Sequence, residues 1–250
     1  MYNIHPPAPQ DYPALQQLWQ EAFGDSPAEI QVFFRTAFSP KRCLCIKPGG
    51  EIGAAAYWLD CSYKDGKLAY IYAVATATQY RHKGLCHKLF DQIHRQLLQQ
   101  GYAGSILVPS EPELAPLYRS MGYEFATGIG NLVCAAKGSI PLSKLDAAAY
   151  AALRRSYLSP WDVIQEAENL CYLASFASFY AGSDFLMAGY AEDDTWIGLE
   201  LLGNASHAPQ IVGAMGCMRG TFQTPGKNPF AMFRPLKDSA PPGYLGFSFG

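Results

Sequence analysis

The chain has 250 residues, 49% of them hydrophobic and 16% charged, with a net charge of −2. That is enough apolar surface for a sizeable core and enough length for one large or two modest domains. It excludes nucleic acid as a main partner, because a phosphate backbone demands clustered Lys and Arg. No apolar run reaches the length of a membrane span, and no basic segment followed by a signal core opens the chain. The seven cysteines (43, 45, 61, 86, 134, 171, 217) show no Cys-x-x-Cys spacing, and the five His are not clustered. Scattered thiols of this kind predict a reducing, cytoplasmic setting with no disulfide frame and no metal.

Tyr2 to His5 reads as a short strand. Asp11 caps a helix whose apolar stripe is Tyr12, Leu15, Leu18, Trp19, Ala22 and Phe23, and Gly24-Asp25 ends it. Ser26-Pro27-Ala28-Glu29 is a capping box opening a second helix with Ile30, Phe33, Phe34, Ala37 and Phe38 on one face. Strands are expected over 42–47 and 51–60, and Lys64-Asp65-Gly66-Lys67 is a hairpin turn into the next strand. That strand, Tyr70-Ile71-Tyr72-Ala73-Val74, runs into a segment without period, Ala75 to Lys83. From Gly84 a helical period begins with Leu85, Leu89, Phe90, Ile93 and Leu97, closed by Gly101. A strand, a tight basic turn with a glycine, and a helix make an anion site. The first helical turn offers unpaired N–H groups and the positive end of the dipole, and Arg81 and Lys83 add charge.

Arg81-x-x-Gly84-x-Cys86 resembles the Arg/Gln-x-x-Gly-x-Gly/Ala pyrophosphate loop of the GNAT superfamily of acetyl-CoA-dependent N-acetyltransferases. The wider string Val74-Ala75-Thr76-(x)4-Arg81-His82-Lys83-Gly84-Leu85-Cys86 looks like the Eis-type branch; Cys86 stands where Gly or Ala is usual. Further on, after a strand over 103–108, Leu117-Tyr118-Arg119-Ser120-Met121-Gly122-Tyr123 resembles the family's second signature, Leu-Tyr-x-x-x-Gly-Phe/Tyr. Glu111 and Leu114 replace the Asn and Ala that often precede it, and Pro116 bars a long helix from running into Tyr118. The resemblance implies a GNAT acyltransferase fold, an α/β (α+β) architecture with a mixed, mostly antiparallel sheet. It implies that Val74, Ala75 and Thr76 pair with the pantetheine arm of acetyl-CoA, and that Arg81, His82, Lys83, Gly84, Leu85, Cys86 and His87 hold the pyrophosphate. Tyr118 would then protonate the departing thiolate, the one catalytic residue assigned. The helix pair before the second strand would form one wall of the acceptor site, with Phe23, Phe33 and Phe34 as lining candidates. Glu21, Asp25 and Glu29 are the acids in that wall.

The strand leading into the loop carries no acid, so the base that deprotonates the acceptor is either a water chain or, as the Eis-type resemblance implies, the chain's terminal carboxylate at Gly250. The expected activity is direct acetyl transfer from acetyl-CoA to a primary amine of a small molecule. The alternatives are a non-catalytic acetyl-CoA sensor, a longer-chain acyl donor, or a protein N-acetyltransferase.

The second half reads as a helix over 142–157, a second helix capped by Ser159-Pro160-Trp161-Asp162, and an ambiguous apolar run over 170–180. A hairpin follows, Phe185–Tyr190 with Thr195–Leu202 around Asp193-Asp194. A helix near 210–217 then leads through a Pro/Gly loop to strands over 230–233 and 244–249. Hairpin, helix, strand repeats the order of the first half. This reading places a catalytic domain at 1–137 and a degenerate GNAT-like or other α/β half at 138–250, with aromatic surface for a homodimer. The copy lacks the anion string, since Leu202-Gly203-Asn204-Ala205 carries no basic residue.

Overall fold

The computed structural model describes residues 3–64 and 66–249. Contacts divide the chain into two compact units. The first comprises the chain up to Cys61, the stretch Asp65–Glu124 and a returning segment, Met232–Pro241; the second comprises Ser62–Lys64, Phe125–Ala231 and the segment from Pro242 onward. The return at Met232 follows the Pro/Gly loop near 225–229, so the units are discontinuous in sequence, whereas the reading above makes one cut at 137/138.

In the first unit β1 (Ile4–His5) precedes α1 (Tyr12–Phe23) and α2 (Pro27–Thr36). The capping box closes both ways: Glu29 N–H donates to Ser26 Oγ at 3.3 Å and Ser26 N–H to Glu29 Oε2 at 2.8 Å. Then come β2 (Cys43–Ile46), β3 (Ala54–Tyr63), β4 (Gly66–Thr76), α3 (Leu85–Gln99), β5 (Gly104–Leu107), α4 (Ala115–Ser120) and β6 (Glu124–Phe125). Pro116 stands in the first turn of α4, where its missing N–H has no intrahelical acceptor to lose, so the helix starts just ahead of Tyr118. The apolar period of α3 is buried as read: Leu85, Leu89, Phe90, Ile93 and Leu97 are at most 1% exposed. Each such side chain contributes roughly 1.5–3 kcal/mol on burial.

In the second unit β7 (Gly128–Ala135) and β8 (Ser143–Leu145) precede α5 (Ala147–Tyr157); β9 (Ile164–Gln165), α6 (Glu168–Leu173) and β10 (Ser178–Ala181) follow. Next are β11 (Phe185–Glu192), β12 (Thr195–Gly203), α7 (Ala208–Ala214), β13 (Arg219–Pro225) and β14 (Asn228–Pro229). After β14 the chain returns to the first unit as β15 (Met232–Pro235), antiparallel to β5. The first sheet has the order β1-β2-β3-β4-β5-β15-β6 and the second β14-β7-β13-β12-β11-β10-β8. Both contain an antiparallel hairpin, a helix and a strand returning parallel to the second hairpin strand: β3, β4, α3, β5 in one, and β11, β12, α7, β13 in the other. The molecule is a mixed α/β protein with two sheets of the same type.

Several second-half expectations need correction. The helix expected from residue 142 begins at Ala147, because Asp146 caps it through Ala149 N–H and the three residues before form β8. Ser159 to Asp162 caps no helix; Asp162 Oδ2 accepts Ser159 N–H in a turn that leads into β9. The run over 170–180 splits into helix and strand. β7 and β13 were not anticipated, since glycines and polar residues blur their alternation. Tyr244 to Phe249 forms no strand, because side chains take its backbone groups. Gln165 donates to Phe247 O (2.9 Å) and accepts from Phe247 N–H (3.1 Å), and Gln223 Nε2 donates to Gly246 O (2.6 Å).

Arg154 is central to that docking. It is 2% exposed and donates to both oxygens of Glu200, itself fully buried, at 2.7 and 2.8 Å. It also donates to Val163 O and Leu245 O, while Tyr150 O–H donates to Glu200 Oε2 at 2.6 Å. Arg154→Ala should therefore lower stability by about 3–5 kcal/mol in urea unfolding, because Glu200 would be left charged and buried. Replacing both partners by Met and Leu should recover most of that loss.

In the first unit a polar chain crosses the core. Arg234 of β15 donates from Nη1 to His94 Nδ1 (2.7 Å) and to Met121 O; His94 Nε2 meets Tyr123 Oη (2.9 Å), which meets Ser105 Oγ (2.7 Å). A guanidinium only donates, so Nδ1 is the acceptor and the ring is neutral with its proton on Nε2. Burial, and then the Arg234 charge, pull the His94 pKa down to about 3. Between that value and the unfolded value of about 6.5 the unfolded chain binds the extra proton, so stability rises with pH through this window. Acidification from pH 7 to 5 should cost the wild type about 2 kcal/mol more than His94→Gln, measured by denaturant titration at the two pH values.

Candidate active site

β4 and β5 pair in parallel over Leu68↔Gly104, Ala69↔Ser105 and Tyr70↔Ile106. There the ladder ends, although β4 continues to Thr76. Ala73 has φ +48°, a backbone state that an L side chain rarely adopts, in the middle of this stretch. β5 itself ends at Leu107, so it gives β4 no pairing partner beyond Tyr70. Among the described residues Val74, Ala75 and Thr76 face the β5 side with no strand partner, as an edge that an extended ligand could join. Sequence reasoning chose these residues but missed Ala73, because alanine carries no compositional sign of a positive φ.

The turn after β4 is short. Arg81 Nε folds back to Thr76 O at 3.2 Å, and the Lys83 ammonium lies 5.4 Å from the Tyr80 ring centroid. Gly53 lies beneath Tyr80, and any side chain there would strike Pro48 at 2.6 Å. His82 (φ +59°) and Gly84 (φ +73°) turn the chain so that Gly84 caps α3 in the left-handed region. A Cβ on Gly84 would meet nothing within 4 Å, so the space in front of this helix end is open. The first bond closing the helix is Lys88 N–H to Gly84 O, which leaves the amides of Leu85, Cys86 and His87 directed out of the first turn. Arg81, His82, Lys83 and Gly84 are exposed around it. Leu85 differs from the others: its side chain is 1% exposed in the core, so only its backbone can serve a ligand. Cys86 is half-buried, and burial pushes its thiol up to about 11, so it is protonated and no nucleophile. His87 Nε2 lies 2.9 Å from Ser120 Oγ and ties α3 to α4.

That tie brings Tyr118 to the same end of the unit. It lies on α4, 8% exposed, with its ring 5.8 Å from Phe90 of α3 and 6.1 Å from Tyr123. Burial first, and the neighbouring Cys86 second, raise its pKa above the usual phenol value. The hydroxyl is thus a proton donor throughout the neutral range, and it makes no hydrogen bond among the described residues.

Of the three acceptor-wall candidates, Phe33 is 1% exposed, Phe34 is half-buried and Phe23 is 42% exposed at the end of α1. Phe33 and Phe34 belong to one aromatic surface with Trp19, Tyr57 and Tyr72, whereas Phe23 touches it only through Trp19. Gly250, the residue of the proposed terminal carboxylate, lies outside the described residues, as do Tyr2 of the first expected strand and Asp65 of the hairpin turn.

In the second unit β12 ends at Gly203 and α7 is capped by His207. A side chain on Gly203 (φ +84°) would collide with Asp184 O and meet the Tyr157 ring at 2.7 Å. The Asp184 carboxylate lies beside this turn, accepting from Asn204 Nδ2 at 2.9 Å and pairing with His207 at 3.0 Å.

One group of metal-ligating types occurs among the described residues: His5, Asp11 and Cys45, with ligand atoms within 4.8 Å of one another. The three come from separate elements, so no spacing along the chain announces them. Against the upward push of burial, Lys47 Nζ at 2.6 Å and the Ala8 amide at 3.0 Å hold the Asp11 carboxyl below its usual range. An internal ammonium already neutralises this cluster.

Residues 3–126 match the family model described as "Acetyltransferase (GNAT) domain". No curated protein matches the chain. Similar folds occur in GCN5-related N-acetyltransferases from Anabaena variabilis (TM-score 0.75, 13% identity, 95% of this chain and 73% of that one) and Kribbella flavida (0.71, 15%, 94% and 71%). Eis1 from Mycobacterium abscessus is also similar (0.69, 16%, 94% and 74%). At these identities the likeness is one of fold, and it extends over both units. Residues 3–126 thus form a domain that matches the GNAT acetyltransferase model, and the likeness of fold to GNAT proteins runs on over the second unit.

Proposed function

We propose that the chain moves an acetyl group from acetyl-CoA to a primary amine of a small molecule. The observation that carries this reading is the end of β4 that runs on beyond its pairing with β5, next to an unobstructed helix end. Val74, Ala75 and Thr76 pair through their backbones with the pantetheine arm, which lies along that edge. The amides at the start of α3, with Arg81, His82, Lys83 and His87, hold the pyrophosphate; Gly84 and Cys86 allow its close approach. Acetyl-CoA is the cosubstrate, and no step calls on a metal.

The reaction is a direct transfer. The amine nitrogen attacks the thioester carbon, a C–N bond forms, the C–S bond breaks, and the coenzyme A thiolate takes the Tyr118 proton. The proton lost by the amine is carried away by water, or by the terminal carboxylate of Gly250, and restores the phenol. The raised pKa of Tyr118 suits this role, because a phenol that stays protonated can donate to a thiolate as it leaves.

Two measurements test the reading. Calorimetry should show acetyl-CoA binding to the wild type that is lost in Gly84→Glu, whose carboxylate would occupy the mouth of the helix; absence of binding to a folded wild type would refute the cofactor site. Tyr118→Phe should lower kcat roughly 100-fold at little change in acetyl-CoA affinity, given the usual worth of a positioned acid. An unchanged kcat would remove Tyr118 from the mechanism.

A further inference from the structure

The wall that α1 and α2 build against β3 and β4 is made of aromatic rings. Trp19 lies 5.4 Å and Phe33 5.5 Å from Tyr72, which stands on the stretch of β4 beyond its pairing with β5. From there the rings continue through Tyr57, 5.3 Å from Trp19 and 5.6 Å from Phe33, to Phe34 and Phe38, which stack on each other at 4.5 Å. The inner rings, Trp19, Phe33 and Tyr57, are at most 2% exposed, whereas Phe34, Phe38 and Tyr72 are only half-buried. Tyr12 packs 5.0 Å from Phe38 and 6.3 Å from Phe34, and the half-buried rings leave their remaining faces for a ligand to cover. Tyr57 adds a buried hydroxyl that has no hydrogen-bond partner among the described residues.

The charges along this wall are already engaged. Asp25 accepts the Trp19 indole N–H at 2.7 Å, Glu29 closes the capping box of α2, and Glu21 accepts from Gln17 Nε2 at 2.9 Å. An ammonium would share these carboxylates with donors already in place. What the wall offers in greatest extent is aromatic surface, which suits a flat apolar skeleton that gains by stacking and by leaving water.

On this basis we infer that the acceptor is a primary amine on an aryl-alkyl skeleton, with its ring packed against Phe34 and Phe38 and its amino group directed past Tyr72. This inference rests on the acetyl-transfer reading above and uses the same step.

The test compares coenzyme A thiol release with tryptamine, phenethylamine and spermidine, alongside calorimetric acetyl-CoA binding for each variant. Tryptamine and phenethylamine should show kcat/KM at least about tenfold above spermidine. Phe34→Ala and Phe38→Ala should each lower kcat/KM for the aromatic amines about tenfold, a loss in the range of small changes in an apolar pocket. Their acetyl-CoA affinity should be unchanged, which also reports that the variants are folded. Preference for spermidine, no turnover of either aromatic amine, or an equal loss for all three acceptors in both variants would overturn the inference while leaving the cofactor reading intact. Failure of the wild type to bind acetyl-CoA would bring down the transfer reading itself, and this inference with it.

Discussion

The candidate site depends on one interruption of backbone pairing. β4 and β5 hydrogen-bond side by side until Tyr70 and Ile106, and beyond that point β4 runs on without β5. A sheet that left such an edge exposed in its interior would lose several backbone hydrogen bonds, each with a net worth of about 0.5–1.5 kcal/mol. The edge is left because β5 ends at Leu107 while β4 continues to Thr76. Ala73, at a positive φ, bends β4 locally, while α3 packs on the sheet through Leu85, Leu89 and Phe90 and fixes the direction in which β4 must end. The returning strand β15 covers the other side of β5. Edge, turn and helix end are thus consequences of one packing arrangement.

That arrangement also explains what the sequence could and could not convey. α1, α2 and α3 were legible because their boundaries are chemical: the reciprocal Ser26–Glu29 cap and the left-handed glycines at 24, 84 and 101 act within a few residues. The loop from Arg81 to His87 was legible for the same reason, since a turn into a helix must use residues that tolerate its backbone angles. Ala73 was not legible, because its conformation is imposed by tertiary packing. The chain from Arg234 to Ser105 was hidden too; it joins residues far apart in sequence, and a lone His or Arg gives no sign of its partner. In the second unit Asp146 and Asp162 both look like caps. One caps a helix and the other closes a turn, a difference settled by β9 beyond it.

The two sheets show how one frame serves different ends. Each has the hairpin, helix and parallel return, yet the turns into their helices differ: Gly84, the cap of α3, faces open space, whereas Gly203, at the end of β12, is crowded by Asp184 and Tyr157. Buried charge is distributed unequally as well. The first unit keeps a neutral imidazole under a guanidinium, whereas the second places the Arg154–Glu200 pair in its core and uses it to secure the segment after Pro242.

The Asp184 carboxylate beside the turn into α7 shows where the two frames diverge. It is held by Asn204 and His207, so this turn has beside it an acid bonded within the polypeptide, whereas the turn into α3 carries Arg81 and Lys83. The same order of hairpin, helix and parallel return therefore presents opposite charge at corresponding turns. A change of a few residues at the turn reverses the sign of the local field while the strand order stays the same.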